Sequence, residues 1–241
     1  MRIVHFEKEG VPGIAANDGA GWPYQGRRRL SRYFARTDCA RRRSVAWRQS
    51  ASAHACHRLE RSSDTASHRE PIRRPRESSA LDYEAELAVV IGRRGRRIHR
   101  DRALDHVAGY SLFNDATIRD FQLRTPQWTM GKNFDGTGAF GPWLVTPDAV
   151  PPGAQGLRIQ GRLKSRVMQE SRTDRLIFSV PVLIELISVA ITLEPGDVII
   201  TGTPGGVGAA RKPAVYMQPG DVFEVEIEGM GVLSNSVQIE S

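Results

Sequence analysis

Cysteine is nearly absent: the 241 residues contain only Cys39 and Cys56. Neither belongs to a C-x-x-C pair, so neither a disulfide framework nor a cysteine zinc site is suggested, and a cytoplasmic protein is the default expectation. No run of about 18 apolar residues occurs, which leaves no transmembrane helix to expect. The opening MRIVHFEKEG has no basic stretch followed by an apolar one, so no secretory signal is expected either. Lysine is missing from residues 23–80, where fifteen arginines stand instead. There is no alternation of strands and helices of the βαβ kind, which argues against a doubly wound sheet. There is no GxxxxGK[ST] phosphate loop.

What is present divides unevenly. The net charge is +7, yet residues 1–80 hold 17 Arg/Lys against 8 Asp/Glu and residues 81–241 hold 17 against 19. The basic excess therefore sits in the first third, and the remainder has an ordinary globular composition. Residues 1–22 read as a β-hairpin, two short strands around a Glu-Gly turn. Residues 23–80, with RRRL, RRRS and RRPRE, show no sustained amphipathic period. Three readings of that segment are open: a disordered basic tail that binds nucleic acid, a subdomain with an unrecognised core, or an out-of-frame stretch of a GC-rich gene, which resequencing decides.

Residues 81–241 are patterned throughout. LDYEAELAVVIG (81–92) and VAGYSLFND (107–115) read as strands, ATIRDFQ (116–122) as a short helix, GKNFDGTGAFGPW (131–143) as a glycine-rich loop leading into the strand WLVTPDAV, and 156–171 as a hairpin turning at Lys164-Ser165. FSVPVLIELISVA (178–190) has helical apolar spacing, with Ser179 as N-cap and Pro181 in the first turn. LEPGDVIITG and MQPGDVFEVEI each set Pro-Gly-Asp before a β run, a tight-turn signal. Together these give a mixed, mainly β fold with few short helices.

Chemistry concentrates at the start of this region. Glu84 and Glu86, two apart on a strand, share a face and repel each other. With Asp115 at a strand-to-helix junction they make a hard oxygen set suited to Mg²⁺, Mn²⁺ or Ca²⁺, and the lack of nearby His or Cys disfavours zinc. Each alone has a plainer reading, a solvated face for the glutamates and a helix N-cap for Asp115. If 115–122 is helical, Asp115, Arg119 and Gln122 share one side, as a site or as a surface pair. Lys132 is either an exposed lysine or a cation aimed at an anionic substrate or developing enolate. Thr203, in TGTPGGVG, either binds a carboxylate with its neighbouring N–H groups or lies in a plain turn.

Residues 81–241 resemble the catalytic domain of the fumarylacetoacetate hydrolase family. The matching stretches, in the family's order, are DYEAELAVVIG, GYSLFNDATIRDFQ, GKNFDGTGAFGPWLVT, MQESRTDRLIFSV, LEPGDVIITGTPGGVG and QPGDVFEVEIEGMG. The resemblance implies a mixed β-sandwich roll, a homodimer, and a divalent ion held by Glu84, Glu86 and Asp115. It implies catalytic roles for Lys132 and Arg119 and substrate contacts from Gln122, Thr203 and Thr173. It also implies a 2-oxo or 1,3-dicarbonyl acid as substrate, and C–C hydrolysis, decarboxylation or keto–enol isomerisation through an enolate, in aromatic or organic acid catabolism.

One departure stands out. The family carries a segment like NYxxHxxE ahead of the ExE strand, and none is present. HRLE (57–60) offers His57 and Glu60 at the same mutual spacing, but the flanks do not match and His57 is only 27 positions before Glu84. Two other function classes therefore accompany the enzyme: a catalytically impaired relative that binds metal or a small acid, and a nucleic-acid binder working through the arginines.

Overall fold

The computed structural model describes residues 65–241 throughout and, before them, only the backbone of five strands: β1 (Arg2–Lys8), β2 (Val11–Asn17), β3 (Tyr24–Gln25), β4 (Ser44–Trp47) and β5 (Cys56–Leu59). His57 and Glu60, and most of the arginine-rich stretch, lie outside the residues whose side chains are described. β1 and β2 pair antiparallel, with the Glu9-Gly10 dipeptide between them.

Next come β6 (Thr65–Ser67) and β7 (Ile72–Arg74), which pair in parallel with strands much later in the chain. β8 (Leu81–Asp82), β9 (Ala85–Ile91), β10 (Val107–Asn114), β11 (Thr117–Ile118) and β12 (Gly138–Val145) follow. Then come the hairpin β13 (Arg158–Leu163) and β14 (Arg166–Arg172), β15 (Val198–Ile200), and the pair β16 (Val222–Ile227) and β17 (Gly231–Ile239). The helices described are α1 (Arg119–Gln122) and α2 (Val180–Ala190), with several short 3₁₀ turns.

Two large sheets result. One runs β3-β2-β1-β12-β10-β9-β15-β4-β5 with β6 beside β12, and the other runs β14-β13-β16-β17-β7. They face each other over a shared core in which Leu87, Val89 and Leu112 of the first sheet meet Ile159, Phe223, Val225 and Leu233 of the second. This is the expected mainly β, sandwich-like architecture. β9 is central: all seven of its residues are buried. Its odd-numbered side chains enter the main core, while Ala88 packs with Phe113 and Ile200 in a second small cluster on the opposite face. That two-sided burial explains why its sequence is continuously apolar rather than alternating.

Local chemistry accounts for the turns. Lys164 and Ser165 both adopt positive φ (52° and 62°), the geometry of a two-residue hairpin turn in residues that do not favour it. The Pro-Gly-Asp echo has one structural cause. Asp197 accepts from Glu194 N at 2.7 Å and Asp221 from Gln218 N at 3.0 Å, so each aspartate closes its own turn before a strand. On α2, Leu183, Ile184 and Ile187 are buried while Leu186 and Val189 are exposed. Ser179 is its N-cap by position, without a side-chain hydrogen bond. Among the described residues no helix is long and apolar enough to cross a membrane.

Candidate functional site

Strand register assembles the site. β10 pairs antiparallel with β9, setting Asn114 opposite Ala85, so the next residue, Asp115, arrives beside Glu84. Asp115 N donates to Glu84 O at 2.9 Å, and Asn114 Oδ1 accepts from Glu84 N at 3.0 Å. On the other side β15 pairs antiparallel with β9, placing Ile200 opposite Ala88. The chain then carries Gly202 past Glu86, and Gly202 N donates to Glu86 Oε2 at 2.6 Å. The start of β9 thus collects the carboxylates of Glu84 and Glu86, that of the residue after β10, and a backbone donor from the segment after β15.

Glu84, Glu86 and Asp115 are all buried, and each offers a carboxylate oxygen within 4.8 Å of the others. At that separation and an effective dielectric constant of about 20, each like-charged pair repels by about 3.5 kcal/mol. Two cations offset this. Lys132 Nζ donates to Glu84 Oε2 at 2.8 Å, Asp115 Oδ2 at 2.6 Å and Asp115 O at 3.1 Å. Arg119 donates through Nη2 to Glu84 Oε1 at 2.6 Å, through Nη1 to Gln122 Oε1 at 2.8 Å and through Nε to Asp82 Oδ2 at 2.7 Å.

Two local packing features deliver these cations. β11 pairs with β8, setting Thr117 against Asp82, so Arg119 emerges beside Asp82. Gly131 lies flush against α1: a Cβ there would come within 2.5 Å of Gln122 Cβ, so only glycine lets the Trp128–Gly131 turn approach closely enough to place Lys132. Phe121 and Phe134, edge-to-face at 4.9 Å, brace the same contact.

Asp115 is not a helix cap. Residues 117–118 are extended, the cap position of α1 is Ile118, and Arg119 pairs with Asp82 and Glu84 while Lys132 takes Asp115. The expected i, i+4 relation of Asp115 to Arg119 therefore does not form. Arg119 and Gln122, three apart on α1, do share a side.

Asp82 is the site residue that sequence reasoning passed over. It is fully buried, and in LDYEAE it stands two before Glu84, so an acid at every second position was the available signal. Gln169 is another: it accepts from Ala85 N at 3.0 Å and donates to Thr203 Oγ1 and Pro204 O, both at 2.8 Å. Thr203 in turn donates to Ala85 O at 3.1 Å.

Thr173 stands apart. Its hydroxyl donates to Ala154 O at 2.6 Å and accepts from Leu157 N at 2.9 Å. Thr173 and Thr203 both line a cavity of about 220 Å³ that also touches Leu87, Ile159 and Gly202. Leu87 points into the core between the sheets, opposite to its neighbour Glu86. The cavity and the carboxylate cluster therefore meet at Gly202, on either side of β9.

Three buried carboxylates (Asp82, Glu84, Asp115) are bonded to two buried cations (Arg119, Lys132), and buried Glu86 lies within reach of Glu84 and Asp115, so these six side chains carry a formal sum of −2. One divalent cation restores neutrality, and an all-oxygen donor set suits a hard ion. Gln122 Nε2, buried, has no hydrogen-bond partner among the described residues, leaving one donor for a ligand oxygen.

Residues 32–238 match the family model described as fumarylacetoacetate (FAA) hydrolase C-terminal. Among curated proteins the chain is 44% identical over 170 residues to the mitochondrial oxaloacetate tautomerase fahd2 of Xenopus laevis, covering 70% of this chain and 53% of that protein. It is 43% identical over 160 residues to the oxaloacetate tautomerase YisK of Bacillus subtilis, covering 66% and 53%. The chain spans about half the length of these curated relatives. Among solved structures, the fumarylacetoacetate hydrolase from Exiguobacterium antarcticum superposes with a TM-score of 0.85 at 30% identity over 100% of both chains. The 5-carboxymethyl-2-hydroxymuconate delta-isomerase of Mycobacterium smegmatis gives a TM-score of 0.82 at 25% identity, again over 100% of both chains.

Proposed function

This chain belongs to the fumarylacetoacetate hydrolase family, and from that premise we propose that it is a divalent-metal-dependent enzyme acting on 2-oxo or 1,3-dicarbonyl carboxylic acids. The reaction we favour is keto–enol tautomerisation, with oxaloacetate as the substrate to test first. The observation that carries the proposal is the buried carboxylate triad, whose three oxygens lie within 4.8 Å of one another, close enough to share one ion. The names of the two tautomerases at 44% and 43% identity support the choice of reaction. So does the missing NYxxH segment: moving a proton between carbon and oxygen needs no attacking water, whereas C–C hydrolysis does.

Glu84, Glu86 and Asp115 would hold Mg²⁺ or Mn²⁺, with Ca²⁺ as a further hard ion of the same kind, and the bound ion supplies Lewis acidity. The chain's own groups do the rest. Lys132 sets its Nζ between two carboxylates, where its positive charge would offset negative charge developing on a substrate oxygen. Arg119 fixes the Gln122 amide through its oxygen, so that Nε2 is presented as a donor to the substrate. The backbone of Gly202 and Thr203 carries the site's edge past Glu86.

A homodimer, read by light scattering, belongs to the same proposal. Oxaloacetate tautomerisation, followed by the ultraviolet absorbance of the enol, is expected to be accelerated with Mg²⁺ or Mn²⁺, lost on chelation and restored on adding the ion back. Metal-independent turnover, or full activity in Glu86→Ala, refutes the reading. Ion and oxalate binding without turnover would instead select the catalytically impaired relative.

A further inference from the structure

We propose that Asp82 is the positioning residue of this site: its carboxylate ties the Arg119 guanidinium to the Gly208–Ala209 backbone, so that the TGTPGGVG loop and the Arg119–Gln122 side of the cluster hold one fixed relation. The proposal rests on the reading of the site as a cation centre that takes a small oxo acid. Asp82 is 0% exposed and both of its oxygens are saturated. Oδ2 accepts from Arg119 Nε at 2.7 Å and Ala209 N at 2.9 Å; Oδ1 accepts from Tyr83 N at 2.8 Å and Gly208 N at 2.7 Å. Four donors on one carboxylate leave it no place among the ion's ligands, and it stands outside the triad of Glu84, Glu86 and Asp115.

What Asp82 does reaches the site through Arg119. With Nε fixed, the planar guanidinium has only its two terminal nitrogens to direct, one to Glu84 and one to Gln122. The orientation of the Gln122 amide, and of its Nε2, which has no hydrogen-bond partner among the described residues, follows from that. The loop end is equally constrained. A Cβ at Gly208 would come within 1.8 Å of Val215 O and 2.6 Å of Asp82 Oδ1, so the chain is seated as close to the carboxylate as glycine allows. An asparagine at 82 keeps the shape but not the bonding: its NH₂ must face either the guanidinium and Ala209 N or Tyr83 N and Gly208 N, donor against donor.

The test uses the full chain, with Mn²⁺ and then oxalate on the Mn²⁺-loaded protein as probes, by isothermal titration calorimetry. Asp82→Asn is expected to bind Mn²⁺ within about threefold of wild type and oxalate about tenfold or more weakly, with Arg119→Lys showing the same fall and the double variant no more than either alone. A residue that only supports the fold would weaken Mn²⁺ and oxalate together and lower the melting temperature. That result, additive losses in the double variant, or unchanged oxalate affinity overturns the proposal. Should Asp82→Asn fail to fold, Arg119→Lys decides alone: an ammonium cannot reach Asp82, Glu84 and Gln122 at once, so wild-type oxalate affinity in the folded variant overturns it. A wild-type chain that binds no Mn²⁺ overturns the functional reading and the proposal with it. Binding in wild type with Asp82→Asn unaltered overturns the proposal alone.

Discussion

Lys132→Met removes a buried cation while keeping an unbranched side chain of similar length. The ammonium is 1% exposed and is bonded to Glu84 at 2.8 Å and Asp115 at 2.6 Å. Without it the formal balance of the cluster moves from −2 to −3, and two buried carboxylates each lose a charged partner. Breaking a buried ion pair from one side costs about 3–5 kcal/mol. For a chain of this size each kcal/mol shifts the melting temperature by about 2–4 °C, so the metal-free variant should melt about 6–20 °C below wild type. A divalent ion brings the variant's cluster to −1, so saturating Mg²⁺ or Mn²⁺ should recover a large part of that deficit. The assay is thermal unfolding of wild type and variant, each with a chelator and each with excess ion. The reasoning is refuted if the metal-free variant melts within about 2 °C of wild type, or if the deficit is the same with and without the ion.

Three further outcomes follow from the geometry. Gly208→Ala forces a methyl against Val215 O and Asp82; oxalate affinity should fall about tenfold or more, and an unaffected variant would show that the loop is not held as described. Thr173→Val removes a hydroxyl that bonds Ala154 O and Leu157 N; stability should drop by about 1–3 kcal/mol in denaturant titration with KM unchanged, and a raised KM with intact stability would give the hydroxyl to the substrate instead. Burial pushes the Tyr110 phenol up to about 12, so its protonated form is favoured on folding. The unfolded phenol titrates near 10, so this contribution, on the order of 2–3 kcal/mol, is fully present below pH 10 and lost as pH rises towards 12. Tyr110→Phe should therefore flatten that alkaline loss of stability, and an identical pH profile in the variant would contradict the assignment.

The sequence made β9 and its two glutamates legible because a period of two is a local property: Glu84, Glu86 and Ala88 fall on one face whatever pairs beside them. The place of Asp115 at the end of β10 was also local, but what brings it to Glu84 is cross-strand register, which no window of sequence contains. The helical relation expected of Asp115 and Arg119 failed because Thr117 and Ile118 are drawn into extended pairing with Asp82 and Leu81, which outweighs the propensity of a four-residue helix. Asp82 was hidden for a similar reason. Its backbone donors Gly208 and Ala209 lie more than a hundred residues away, and a carboxylate saturated by distant N–H groups looks in sequence like any strand-edge acid. Thr173 and Thr203 share the cavity wall, yet their hydroxyls bond the fold itself, which motif position alone does not show.

The central claim is that Glu84, Glu86 and Asp115 together hold one divalent cation. Equilibrium titration of the metal-free chain with Mn²⁺ tests it most directly. The expected result is saturable binding of one ion per chain, abolished in Glu86→Gln, a variant that keeps the side-chain shape and an acceptor for Gly202 N but removes one ligand charge. Absence of binding in wild type, or undiminished binding in folded Glu86→Gln, would contradict it.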